Sequence, residues 1–381
     1  MVKRSLLAIV LLGIGVSLSI FNPPGRYWNP ITLGASLPLN GINKELGQEV
    51  LEGANAYFQE VNAHGGIDQI PIQLIYYDDK YEPQNTLKNT QKLINEDQVF
   101  ALFGFVGTPT TKKILPIIED IPFIAPYTGA SFLRDGTHPN IVNFRSSYSE
   151  EIENIVTYLH NTRHITRFAI FYQNDDYGIS GYNATIKALD QRGLSLVAEG
   201  TYKRNTLSIR HALHEIEVAS PEAIILVGAY KPSARFIKKW RKLYAHKTVF
   251  APISFVNANA LIEELDGDGE NIYFSLTVPS YDSKTLEVAD EYRKILHHYY
   301  PQSKPSYASF ESFLAAKTVV KALRAIRGRI TQEKFLSRLK QLHSDAIGQI
   351  PIAYKHTQLL NRVYLSIYRD GKFQLVERTK P

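Results

Sequence analysis

Short apolar runs alternate with segments of helical periodicity over most of the chain. The run Ile31–Leu37 is followed by apolar residues at helical spacing from Leu46 to Val61, and Gly65-Gly66 ends that predicted helix. The alternation continues to Phe144 and restarts at Ser149. Strand-like runs that alternate with helices predict a mostly parallel sheet with helices on both faces. Two successive sets therefore predict an α/β chain with two lobes.

The individual elements follow from the same periodicity. In the first set we predict strands at residues 31–37, 72–77, 100–104, 123–125 and 141–144, and helices at 46–61, 83–95 and 109–119. In the second set we predict strands at 168–172, 196–202, 223–227 and 248–250, and helices at 149–159, 181–192, 209–217 and 234–244. Three further helices are predicted at 286–298, 307–324 and 332–342. The tail predicts a hairpin of 363–367 and 373–376 around Asp370-Gly371.

The composition excludes several classes of protein. With 381 residues, 44% of them hydrophobic and 21% charged, the chain is globular and long enough to bury a large core. It has no cysteine, which excludes disulfides, thiolate metal sites and cysteine nucleophiles. A formal net charge of +6 is mild at this size and does not indicate nucleic-acid binding. Because nucleotide, zinc-protease and serine-hydrolase motifs are also missing, we expect no catalytic residues, no cofactor and no metal.

The N-terminus reads as an export segment. Lys3 and Arg4 precede an apolar stretch that runs from Leu6 to Phe21, which is typical of a secretory signal. Ser17-Leu18-Ser19 is only a fair match to a cleavage site, so a cleaved signal and an uncleaved anchor both remain open. We assign residues 1–29 to this segment and its linker, and expect an extracytoplasmic, periplasmic location.

Polar and aromatic residues collect where predicted strands give way to helices. The junctions are Gly104–Thr111, Pro126–Ser131, Asn174–Gly178, Gly228–Pro232 and Ser254–Asn257. In open α/β sheets ligands bind at the carboxyl ends of the strands, and aromatic walls with a few polar groups suit a small-molecule cleft. At the first junction we expect Thr108 to be the N-cap and Pro109 the first helical residue, so Thr108 either contacts a ligand or only caps the helix.

One predicted helix is strongly basic. It carries Lys231, Arg235, Lys238, Lys239, Arg241 and Lys242. A solvated face is the simpler interpretation, and docking to a membrane partner or an acidic surface is the alternative.

An ordered set of short stretches resembles the type I periplasmic binding proteins, in the branched-chain amino acid/amide (Leu/Ile/Val-binding) family of ABC-transporter solute-binding proteins. The similar stretches are 41–53, 61–67, 77–83, Phe103-Gly104 with Thr108, 121–124, 176–178 and 307–313. No single stretch is specific, but the ordered set covers residues 31–378.

The resemblance implies a two-lobed clamshell with three hinge crossovers. Residues 30–146 and 280–345 would form lobe 1, and residues 147–279 and 346–378 would form lobe 2. Carried over by position, the ligand contacts would be Thr108, Tyr127, Thr128 and Gly129 from lobe 1 and Tyr177, Tyr230, Ser254 and Phe255 from lobe 2. Amino-acid binders of the family often place an acid near the position of Ser254, where this sequence has none. That favours an amide, a carboxylate or a less charged solute, with Asp176 as the alternative source of an acid.

The function implied is a receptor without chemical turnover. It would be a monomer that closes around a small polar solute (amino acid, amide or carboxylate-like) and delivers it to a membrane ABC permease, with no nucleic-acid partner. The alternative is a sensory module that reports to a membrane kinase or cyclase, which an uncleaved anchor would favour.

Overall fold

The computed structural model describes residues 29–244, 247–343 and 345–376. The predicted export segment lies outside the described residues, apart from its last residue, Asn29. Within those ranges, no helix combines the length and the apolar character that crossing a bilayer requires.

The first lobe is built on a parallel five-stranded sheet. Its strands are β1 (Ile31–Leu37), β2 (Ile72–Asp78), β3 (Ala101–Phe103), β4 (Phe123–Ile124) and β5 (Ile141–Val142), in the order β2-β1-β3-β4-β5. Its helices are α1 (Lys44–Ala63), α2 (Pro83–Asn95), α3 (Thr108–Ile114), α9 (Glu287–Tyr299), α10 (Tyr307–Arg324) and α11 (Gln332–Lys340). Helices α1 and α10 pack closely because Gly53 has no Cβ, which would collide with the Ser309 carbonyl.

The second lobe repeats the plan with four parallel strands. These are β6 (Phe168–Gln173), β7 (Leu196–Tyr202), β8 (Ala223–Val227) and β9 (Val249–Pro252), in the order β7-β6-β8-β9. Its helices are α4 (Tyr148–Arg163), α5 (Asp176–Asp190), α6 (Arg210–Val218), α7 (Tyr230–Tyr244) and α8 (Ala258–Glu264). Helix α4 starts with a capping box formed by Ser147 and Glu150.

The chain crosses between the lobes three times. It leaves β5 for α4, returns after β10 (Tyr273–Leu276) to α9, and crosses again before β13 (Tyr364–Arg369). Strands β10, β13 and β14 (Lys372–Leu375) form an antiparallel sheet, and its β13–β14 hairpin confirms the predicted tail. The hairpin of β11 (Asp345–Ile347) and β12 (Ile350–Ile352) packs against α10. The residue bounds of the two lobes stay a prediction.

Most predicted elements are present, and the differences are local. Helix α3 was predicted to reach residue 119, but it ends at Ile114 and continues as a 3-10 turn over Leu115–Ile117. Pro116 explains the early end, since it has no N–H for the helix and clashes with the preceding turn. Helices α5 and α7 begin earlier than predicted, at Asp176 and Tyr230, and α8 was not predicted.

Candidate ligand-binding site

The predicted contact residues all lie buried where the two lobes meet. They come from the carboxyl-terminal ends of β3, β4, β6, β8 and β9, the edge at which open α/β sheets bind ligands. The eight residues are Thr108, Tyr127, Thr128, Gly129, Tyr177, Tyr230, Ser254 and Phe255. Their surroundings divide them into four groups: a hydroxyl cluster, an aromatic cluster, a buried ionic network and a contact between the lobes.

The hydroxyl cluster consists of two threonines of lobe 1, Thr108 and Thr128, and Tyr148 at the start of α4 in lobe 2. Thr108 is the first residue of α3, and Gly107 is the N-cap, so the prediction that Thr108 caps the helix is wrong. Gly107 has a φ of 109°, a conformation that favours glycine, and a Cβ there would collide with the Tyr81 ring. In the described part of the chain, the Thr108 hydroxyl makes no capping hydrogen bond. It lies 2.7 Å from the Thr128 hydroxyl and 3.5 Å from the Tyr148 hydroxyl.

Gly129 brings Tyr148 into this cluster. The Tyr148 backbone N–H donates to the Gly129 carbonyl over 2.9 Å, and a Cβ on Gly129 would lie 2.5 Å from the Tyr148 ring. Burial raises the pKa of the Tyr148 phenol, although Arg145 opposes the shift. The phenol therefore stays neutral, and three neutral hydroxyls that can each donate or accept sit side by side.

The aromatic cluster joins the two lobes around Phe255. The ring of Phe255, from lobe 2, lies 6.1 Å from both Tyr81 and Tyr127 of lobe 1 and 4.5 Å from Tyr177, measured between centroids. Tyr177 in turn lies 5.4 Å from Tyr148. Burial raises the pKa of the Tyr81, Tyr127 and Tyr177 phenols well above the ordinary value, so they are neutral. The Tyr177 hydroxyl donates to the Gly228 carbonyl over 3.3 Å.

Ser254 belongs to a buried ionic network. Its backbone N–H and its hydroxyl donate to the two oxygens of Glu151 over 2.7 and 2.9 Å, and Arg145 Nη2 donates to its Oγ over 2.7 Å. Arg145 also pairs with Glu311 at 2.9 Å and stacks 4.0 Å from the centre of the Tyr127 ring. The sequence indicated no acid at Ser254, but the fold brings Glu151 of α4 to that position.

Burial and the neighbouring charges act in opposite directions on the pKa values of Arg145 and Glu151. Burial is the largest single influence and would lower the Arg145 pKa, but Glu311, Tyr127, Glu151 and Tyr148 together outweigh it and the pKa is raised. Burial raises the pKa of Glu151, while Arg145 and the hydrogen bonds from Ser254 act to lower it. Thr277 donates to Glu311 over 2.5 Å, so the network ties together residues of four separate segments of the chain.

The last group holds the lobes against each other at the mouth of the cleft. The Tyr230 hydroxyl donates to Glu45 of α1, and Asn257 Nδ2 donates to Glu49 of α1 over 2.9 Å. Tyr230 thus contacts the opposite lobe instead of the hydroxyl cluster. Asp176, proposed as an alternative acid for the ligand, pairs with Lys112 across the lobes at 2.5 Å.

A second bridge lies near the start of α2. Glu82 of lobe 1 accepts from Arg204 over 3.2 Å and from Asn205 over 2.6 Å, and Arg204 also pairs with Asp175 at 3.1 Å. Gln173 donates to the Tyr81 hydroxyl over 3.4 Å. The lobes are therefore in contact on several sides of the aromatic cluster, which is a closed arrangement.

Sequence reasoning missed several residues around this cleft. They are Tyr81, Arg145, Tyr148, Glu151 and Glu311. None of them was singled out among the polar junctions after predicted strands, which is where ligand contacts were sought. A signal for two of them existed, because Arg145 and Tyr148 flank the predicted crossover from the first lobe to the second.

Comparison with known proteins identifies the family. Residues 30–370 match the family described as periplasmic binding protein. The Leu/Ile/Val-binding protein homolog 7 of Brucella abortus is 20% identical over 320 residues, which cover 78% of each chain. An amino acid binding protein of Pseudomonas aeruginosa is 21% identical over 220 residues, and the match covers 57% of that protein's length and 56% of this chain.

Solved structures agree with this assignment. A possible leucine/isoleucine/valine-binding protein from Rhodopirellula baltica superposes with a TM-score of 0.86 at 30% identity, over 92% of this chain and 96% of that one. A substrate-binding periplasmic protein from Ralstonia solanacearum superposes with a TM-score of 0.83 at 25% identity, over 88% of this chain and 97% of that one. The chain belongs to the type I periplasmic binding proteins, in the branched-chain amino acid family.

Proposed function

We propose that this protein is an extracytoplasmic receptor that closes around a small polar solute (an amino acid, amide or carboxylate-like compound) and delivers it to an ABC permease. The observation that supports the proposal is that a cluster of hydroxyl groups and a cluster of aromatic rings lie side by side where the two lobes meet. Lobe 1 contributes the hydroxyls of Thr108 and Thr128, and lobe 2 contributes the hydroxyl of Tyr148 and the rings of Tyr177 and Phe255.

The hydroxyl cluster suits the polar end of such a solute. Neutral hydroxyls can donate to a carboxylate or to an amide oxygen, and burial strengthens those hydrogen bonds because water is excluded. The rings provide apolar walls for the rest of the molecule. Glu151 accepts hydrogen bonds from Ser254, so the ammonium group of a bound solute would also have a carboxylate nearby. Amino acids therefore stay within the proposed class of solutes.

Delivery rests on a population shift between open and closed forms. A solute that touches both lobes only when they are closed favours the closed form by its differential affinity. The bridges from Glu45, Glu49 and Glu82 already favour closure, and the solute adds its own contacts. The closed surface is then what a permease would recognise.

The experiment is a solute screen with matched variants. Thermal unfolding of the purified protein is measured against a panel of amino acids, amides and small carboxylates, and small-angle scattering follows compaction. We expect Thr108→Val to weaken the binding of the selected solute about fivefold or more, because it removes one buried hydrogen bond. Thr90→Val is the control, since Thr90 is equally buried but bonds only within α2. A panel without any thermal shift or compaction would refute the proposal.

The sensory module remains the second candidate. The observation that favours it is the apolar stretch Leu6–Phe21 followed by no strong cleavage site. Mass spectrometry of the exported protein gives the mature N-terminus. A retained segment favours a membrane-anchored sensor, and a processed one favours a free receptor.

A further inference from the structure

Helix α7 presents a positively charged face to solvent. Residues 230–244 contain six cations and no acid, whereas Phe236, Ile237 and Trp240 bury the opposite face against lobe 2. The exposed face carries Lys231, Arg235, Lys238, Lys239 and Lys242, at spacings of four, three, one and three residues, which place them along one side of a helix.

Acids at the end of α8 and in the loop that follows it neutralise only one edge of this face. Lys238 pairs with Asp266 at 2.8 Å, Arg241 pairs with Asp268 at 3.0 Å, and Lys231 lies 4.0 Å from Glu264.

Three cations remain, and we call them the α7 stripe: Arg235, Lys239 and Lys242. They are exposed, and no ion pair joins them to any residue that the structure describes. Like charges four residues apart on a helix destabilise it by about 0.2–0.5 kcal/mol per pair. An anionic partner would remove this repulsion.

Exposed leucines flank the stripe. Leu207 is 39% exposed and lines a shallow groove together with Arg235, Lys239 and Lys242, and Leu243 at the end of α7 is 54% exposed. The stripe runs from residue 235 to residue 242, a rise of about 10 Å along the helix. Flexible lysines in an extended row beside apolar side chains match a plane of headgroups better than they match a single carboxylate or phosphate.

We propose that the α7 stripe docks this receptor on the surface of a bilayer that contains anionic phospholipid. Helix α7 begins at Tyr230, which bonds Glu45 across the cleft mouth, so docking along α7 holds one edge of the cleft close to the membrane. A receptor held in this way stays near a membrane protein to which it delivers a solute. The docking does not depend on which solute is bound.

Sedimentation with vesicles tests the proposal. The exported protein is mixed with phosphatidylcholine vesicles, with or without phosphatidylglycerol, at low and high salt. We expect binding that requires phosphatidylglycerol, weakens with salt, and falls on the order of a hundredfold in R235E/K239E/K242E, since each cation near an anionic surface contributes to binding.

The matched control is K88E/K113E/R324E, which changes the net charge equally at three exposed cations of lobe 1. It should retain more binding than the α7 variant. Thermal unfolding checks that both variants fold, and R235Q/K239Q/K242Q replaces the reversal variant if that one does not. Binding that ignores lipid charge, equal losses in both triple variants, or salt-sensitive binding to an acidic protein without binding to vesicles would each overturn the proposal.

Discussion

Glu49 joins the two lobes, and its ionisation should oppose closure. It lies on α1 and accepts a hydrogen bond from Asn257 of lobe 2 over 2.9 Å, beside a cavity of about 570 Å³ that Glu52 and Glu263 also line. Burial raises the pKa of Glu49 to about 8, while hydrogen bonds from Ser306 and Asn257 act to lower it and the two neighbouring carboxylates act to raise it.

The direction of the effect follows from proton linkage. Opening the lobes separates Glu49 from Asn257 and rehydrates the carboxyl, so its pKa falls toward the ordinary value of 4.5. Between pH 4.5 and about pH 8 the closed form therefore binds one more proton than the open form, and closure weakens as the pH rises through this range. With complete rehydration on opening, solute affinity at about pH 6 would exceed that at about pH 8 by up to roughly fiftyfold.

Calorimetric titration with the solute found by the screen measures this slope. Glu49→Gln mimics the protonated carboxyl, keeps an oxygen for Asn257, and should bind with nearly the same affinity across the range. Glu60→Gln is the control, because Glu60 lies on the same helix and accepts from Tyr299 of the same lobe. If the Glu49→Gln variant keeps the slope of the unmodified protein, the pH dependence does not come from this carboxyl and the reasoning fails.

Three further substitutions test the packing of the cleft. Gly129→Ala puts a Cβ 2.5 Å from the Tyr148 ring, and overpacking of this kind should cost about 1–3 kcal/mol in urea unfolding. Arg145→Met leaves Glu311 buried without its partner and should lower the free energy of unfolding by about 3–5 kcal/mol. The double variant Arg145→Met/Glu311→Gln should regain a part of that loss. Equal losses in the single and the double variant would argue against the ion pair. Tyr230→Phe removes a hydroxyl between the lobes and should weaken solute binding about fivefold in calorimetry, with little change in unfolding.

The fold was predictable because its signals are local. Buried parallel strands such as β6 and β8 are continuous apolar runs, and α1 and α10 show helical spacing over many turns. The strands that the sequence pattern missed are short or depend on pairing with a strand far along the chain. Strands β11 and β12 have three residues each, and β10 owes its pairing to β13, which lies far along the chain.

The cleft was predictable only in part, since its charges come together from distant segments. Glu151 follows Ser147 by one turn of α4 and meets Ser254 more than a hundred residues later, and Arg145 meets Glu311 at an even larger separation. A sequence pattern has no access to such pairs without the fold. The resemblance located Ser254 at the cleft, but it could not show which partners surround it.

Ser254 and Phe255 show how local geometry divides two neighbouring residues between two tasks. They lie in a 3-10 turn over Ser254–Val256, where successive side chains point about 120° apart. One side chain is therefore turned into the network of Arg145 and Glu151, and the next is turned toward the aromatic rings of both lobes. The hydrogen bonds of Ser254 to Arg145 and Glu151 hold the 3-10 turn, and that turn sets the direction of the Phe255 ring. Loss of Arg145 should therefore disturb the position of Phe255, although the two side chains have separate partners.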